Sequence, residues 1–138
     1  MGAYYSSGII YHTFDLTINK EISLLKEIDP LKLPTLKSKM KLQIQNELDK
    51  VHKDFTEEDW INAFGDKVTY NKSFKVTAIE NNLLENYYFK NGKLNILITD
   101  YFGFPSATKN MDLTFEITIP FSELDIYLKE NSILNNLK

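Results

Sequence analysis

The chain has 138 residues, 43% of them hydrophobic, a net charge of −3 and no cysteine. Size and apolar content fit one domain, 1–138, with a substantial core, and exclude a disordered chain. The missing cysteine excludes disulfides, thiolate catalysis and cysteine–zinc sites, and a pI of about 5.4 gives no general reason to expect nucleic acid or an anionic membrane as partner.

All sixteen basic residues are lysine, so the side chain best suited to clamping a phosphate or carboxylate with two parallel hydrogen bonds is missing. No apolar run approaches the ~20 residues that span a bilayer, and no membrane insertion is expected. Met1-Gly2-Ala3-Tyr4-Tyr5 has neither the basic start nor the apolar run of a signal peptide. The chain is then either cytoplasmic or a domain separated from its targeting segment.

In chain order, Ile9 to Ile18 alternates, placing Ile10, His12, Phe14, Leu16 and Ile18 on one face of a strand. Asn19-Lys20 is a turn and Glu21-Ile22-Ser23 a short return strand. Leu24 to Ile28 makes one helical turn, and Asp29-Pro30 and Leu33-Pro34 punctuate the next stretch. Pro34 suits the first position of a helix. Leu36, Met40, Ile44, Leu48, Val51 and Phe55 then recur at spacings of three and four, which predicts a long amphipathic helix. Its outer face carries Lys37, Lys39, Lys41, Gln45, Lys50 and Lys53. Thr56-Glu57-Glu58-Asp59 opens a second helix carrying Trp60, Ile61 and Phe64, closed by Gly65.

The remainder reads as strand. Val68 to Tyr70 and Phe74 to Ile79 are short, and Asn81-Asn82 is a turn. Leu83 to Lys90 and Lys93 to Phe102 flank Asn91-Gly92, a strong hairpin signal. From Met111 the alternation Met111, Leu113, Phe115, Ile117, Ile119 against Asp112, Thr114, Glu116, Thr118 predicts a strand with one dry and one wet face. Pro120 ends it, and Ser122, with Asp125 three residues on, is a candidate N-cap for a short helix. Tight turns imply antiparallel pairing, and segregated helices imply an α+β fold: an antiparallel sheet with one long amphipathic helix and two short helices packed on it.

No catalytic constellation emerges. His12 and His52 are the only histidines, and neither lies in a motif that would make it a base or a metal ligand. Glu57, Glu58 and Asp59 are explained by their place at a helix start. Ser122 lacks the setting of a nucleophile elbow, and there is no phosphate loop. No enzyme activity, metal or cofactor is expected. The stretch Tyr101-Phe102-Gly103-Phe104-Pro105-Ser106 stands out: aromatics beside a glycine and a proline either cap the core or anchor a ligand. Tyr101, Phe102 and Phe104 are therefore the candidate ligand-binding residues.

Phe14-Asp15-Leu16, Lys20-Glu21-Ile22, Tyr88-Phe89-Lys90-Asn91-Gly92, Ile119-Pro120-Phe121-Ser122-Glu123-Leu124 and Tyr127-Leu128 occur in this order. Together they resemble the extracytoplasmic C-terminal domain shared by RsiV-type anti-sigma factors and PdaC-type peptidoglycan deacetylases, from about Gly2 to Leu128. The resemblance implies an α+β domain without catalytic residues, placed in the bacterial cell envelope, with a protein or cell-wall glycan as partner. In the anti-sigma factors it implies a receptor that senses lysozyme. The chain departs from that pattern in Tyr101 to Asn110 and lacks the companion domain that usually precedes it, so a lysozyme-like or peptidoglycan-related ligand is the expectation rather than lysozyme itself. The alternative is a small cytoplasmic partner protein, such as a toxin-neutralising immunity protein, which the size and acidic balance also fit.

Overall fold

A computed structural model describes residues 8–54, 56, 58, 76–99 and 114–137, with residues 51–54 described as backbone only. The expected second helix beyond residue 58, the strand at 68–70 and the aromatic stretch 101–106 lie outside the described residues. So do the side chains of Val51, His52 and Phe55.

The α+β class is observed. Strands β1 (Phe14–Asp15) and β2 (Lys20–Glu21) form a small hairpin, followed by α1 (Leu24–Glu27) and the long α2 (Leu33–Asp54). A 3-10 turn at Asn81–Leu84 leads into β3 (Tyr87–Lys90), β4 (Lys93–Thr99) and β5 (Thr114–Pro120). A short α3 (Phe121–Leu124) and a 3-10 turn at Ile133–Asn136 close the chain. The larger sheet has the order β3-β4-β5, both pairs antiparallel.

The period-two pattern of β5 folds as read. Thr114 and Glu116 are exposed, while Phe115, Ile117 and Ile119 are buried. These three share the inner face with Leu94, Ile96 and Ile98 of β4 and Tyr87 of β3. Leu36, Met40, Ile44 and Leu48 of α2 complete this core from the other side, so the helix periodicity and the strand periodicity meet in one layer interface. Asn91 and Gly92 have φ of 53° and 69°. These are the left-handed angles that a two-residue type I′ turn demands, which is why Asn-Gly marks the hairpin.

Several local expectations fail for identifiable reasons. The strand expected over Ile9–Ile18 shrinks to Phe14–Asp15, because Asp15 Oδ1 accepts from Thr17 N at 2.8 Å and Thr17 Oγ1 at 2.6 Å. That side-chain turn bends the chain away from the ladder. The same bonds hold the Asp15 carboxyl below the usual carboxylate value. The reversal occupies residues 16–19, with Asn19 at φ 51°, so Lys20 begins the return strand. As a result Ile10, Phe14, Leu16 and Ile18 are exposed rather than core.

Ser122 is not an N-cap. Pro120 occupies that position, and the Phe121 N–H donates to Gly92 O of the hairpin turn at 3.0 Å. Val76 and Ile79 are buried without forming a strand: Val76 N donates to the side-chain Oε1 of Gln45 on α2 at 2.9 Å, in place of a ladder bond. Asn81-Asn82 opens a 3-10 turn, and β3 starts at Tyr87 rather than Leu83.

Remote carboxylates tie the small hairpin and the C-terminus to the rest. Glu85, just before β3, accepts from Ser23 Oγ, Leu24 N and Leu25 N, satisfying the first donors of α1. Glu27 at the end of α1 accepts from Ser132 Oγ and Ile133 N. Tyr87 donates its hydroxyl to Ile22 O at 2.6 Å, and burial pushes its pKa up to about 12 from an ordinary 10. A phenol with a raised folded-state pKa stabilises the fold below pH 10 and loses that contribution as pH rises towards 12. Urea titrations between about pH 8 and pH 11.5 are expected to show falling stability, and Tyr87→Phe should flatten that portion of the profile. An unchanged slope in Tyr87→Phe would show that the loss arises elsewhere.

Candidate functional site

Thr99 and Thr114 are directly paired at the last rung of the β4–β5 ladder, their hydroxyl oxygens 3.3 Å apart. The connection 100–113 therefore leaves and rejoins the sheet at one point, at the end opposite the Asn91-Gly92 turn. Tyr101, Phe102 and Phe104 belong to that connection, outside the described residues.

Of the residues considered for chemistry, His12 is exposed rather than partly buried on an apolar face. Its Nδ1 lies 2.6 Å from Glu21 Oε1 of β2, with both side chains more than half exposed (59% and 54%). An ion pair so open to solvent contributes little to stability. Glu58 is exposed, and Glu57 and Asp59 lie outside the described residues. Among the described residues no three histidine, aspartate or glutamate side chains gather as a metal site.

Two surfaces that the sequence did not announce are visible. The first is the N-terminal hairpin and the segment before it, where Ile9, Ile10, Phe14, Leu16 and Ile18 are all exposed, Leu16 at 86%. Five exposed large apolar side chains within ten residues are a candidate interaction surface.

The second is the outer face of the three-stranded sheet. Tyr88, Asn95 and Thr118 form one row across it, and Lys90, Lys93 and Pro120 the next. The Tyr11 ring rests on Tyr88, centroids 4.4 Å apart, and Tyr11 N donates to Asn86 Oδ1 at 2.7 Å. The Tyr88 hydroxyl donates to Glu116 of β5, and this bond to a carboxylate raises the phenol to about 12. The Tyr88 hydroxyl therefore keeps its proton to higher pH than an ordinary phenol and acts as a hydrogen-bond donor to Glu116. A cleft of about 510 Å³ also opens beside Asp29, Asp125 and Lys129, but both charge signs line it.

No protein-family model, no curated protein and no solved structure matches the chain.

Proposed function

We propose that the chain is a non-catalytic binding module of the bacterial cell envelope, engaging a protein or a cell-wall glycan. The observation that carries this reading is the run of exposed hydrophobic side chains on and just before the N-terminal hairpin, whose base is held by the Glu85 and Tyr87 bonds. A tethered hairpin with apolar groups outward has the character of a contact surface. The motif resemblance supports an envelope location and a partner of protein or peptidoglycan type.

Calorimetric titration against muropeptides, chitooligosaccharides and lysozymes tests the proposal. Binding of one class is expected. Silence with all of them, together with a cytoplasmic native gene product, overturns it and favours the immunity-protein alternative, for which a neighbouring toxin gene would be the sign.

Tyr101, Phe102 and Phe104 are proposed to contribute to the binding surface at the Thr99–Thr114 end of the sheet. As anchors, their alanine variants should keep nearly full stability and weaken partner binding by more than ~1 kcal/mol each. Stability losses of ~3–5 kcal/mol for the phenylalanines would assign them to the core instead.

A further inference from the structure

Asn91-Gly92 is the only Asn-Gly pair in the chain, and it forms the β3–β4 turn. Asparagine is among the thermolabile side chains. Its amide carbon is open to attack by the backbone nitrogen of the next residue when that nitrogen is unbonded and uncrowded. Both conditions hold at this turn. The Gly92 N–H donates to no group among the described residues, and the Asn91 side-chain amide makes no hydrogen bond among them. Both residues are exposed, and a Cβ placed on Gly92 would meet nothing within 4 Å. Asn19 offers an internal comparison. It is exposed and has the same left-handed backbone, φ 51° against 53°. Its next residue, however, is Lys20, whose side chain crowds the attacking nitrogen.

The surroundings of the turn decide what a change there would do. Lys90 and Lys93 are exposed and directly opposed across it, and like charges so placed weaken a hairpin. Neither is paired with a carboxylate among the described residues. A carboxylate arising at position 91 would stand between them in the chain. Gly92 O accepts from Phe121 N at 3.0 Å, the bond at the start of α3. The Phe121 ring packs on Phe89 of β3, centroids 5.7 Å apart. The turn therefore helps to fix the point where β5 hands over to α3.

We infer that Asn91 is a site of spontaneous covalent modification, at which the chain converts its own amide to a carboxylate and so retunes the β3–β4 hairpin. The Gly92 nitrogen gives its proton to solvent base and forms a bond to Asn91 Cγ. The Cγ–Nδ2 bond breaks and ammonia leaves. Water then opens the resulting succinimide at one of its two carbonyls, giving aspartate or isoaspartate. The aspartate form keeps the two-residue turn, which Asp-Gly serves as well as Asn-Gly, and sets a carboxylate beside two lysines. The isoaspartate form routes the main chain through Cβ, so the turn no longer closes in register and Gly92 O leaves Phe121 N. The inference goes beyond the binding-module reading and does not depend on it. As a test, the full chain is incubated folded in neutral and in mildly alkaline buffer, digested, and its peptides are mapped by mass spectrometry. Exchange of –NH2 for –OH is expected at Asn91 at least about tenfold faster than at Asn19, and faster at the higher pH. Asn91→Asp should melt at the parent's temperature or above it, and the separated isoaspartate form at least about 3 °C below it. Conversion of Asn91 no faster than of Asn19, or only when the chain is unfolded in urea, overturns the site. An Asn91→Asp variant that melts lower, or an isoaspartate form that melts with the parent, overturns the effect on the hairpin.

Discussion

Phe115→Asp is expected to abolish cooperative folding, while Thr114→Asp, one residue earlier on the same strand, should melt close to the parent. Phe115 is 8% exposed on the inner face of β5, opposite Ile98, and belongs to the cluster shared with α2. A carboxylate there would be desolvated with no partner, at a cost of several kcal/mol. Total stability for a domain of this size is of the same order, about 5–15 kcal/mol, so the folded population should collapse. Thr114 sits on the wet face beside Thr99, where an added charge stays solvated and typical surface effects are within about 0.5 kcal/mol. Thermal melts followed by circular dichroism decide it. Similar melting temperatures for the two variants would mean that the faces of β5 are reversed.

Ile44→Ala should produce the other large effect, a loss of about 2–5 kcal/mol in chemical denaturation. Ile44 is fully buried on the helix face that closes the core over the sheet. Removing its outer carbons forfeits their transfer energy and leaves a cavity that rigid neighbours on two layers fill poorly. Leu42, two residues away and 61% exposed, is the matched control: Leu42→Ala should cost less than about 0.5 kcal/mol. Equal losses at the two positions would show that α2 is rotated on the sheet.

The lysines on the exterior of α2 have two kinds of partner. Lys50 pairs with Glu47 three residues earlier, an ordinary solvated helix pair. Lys37 and Lys39, however, reach across the fold, Lys37 to Asn81 and Lys39 to Glu123 of α3. Helical spacing shows that a side chain points outward, but it carries no information about which distant segment arrives beside it.

The sequence by itself determined the class, the long helix, the hairpin at Asn91-Gly92 and the two faces of β5. Each rests on local physics: a 3.6-residue or two-residue apolar period, or a turn that needs positive φ. The tertiary structure alone decided whether an apolar pattern is covered. Ile10, Phe14, Leu16 and Ile18 alternate as β5 does, yet they end exposed, because the Asp15–Thr17 turn ends the strand and no described layer lies over it. Val76 and Ile79 are buried without a ladder, since a glutamine from α2 supplies a partner that no local pattern foretells. Glu85, which the sequence placed inside a strand from Leu83 to Lys90, caps a helix some sixty residues earlier in the chain. The juxtaposition of Lys90 and Lys93 was written beside the turn, but only the register across β3, β4 and β5 put Tyr88 and Glu116 on the same face. Alternation and turn chemistry act between neighbours in sequence, whereas coverage and convergence depend on which segments meet in space.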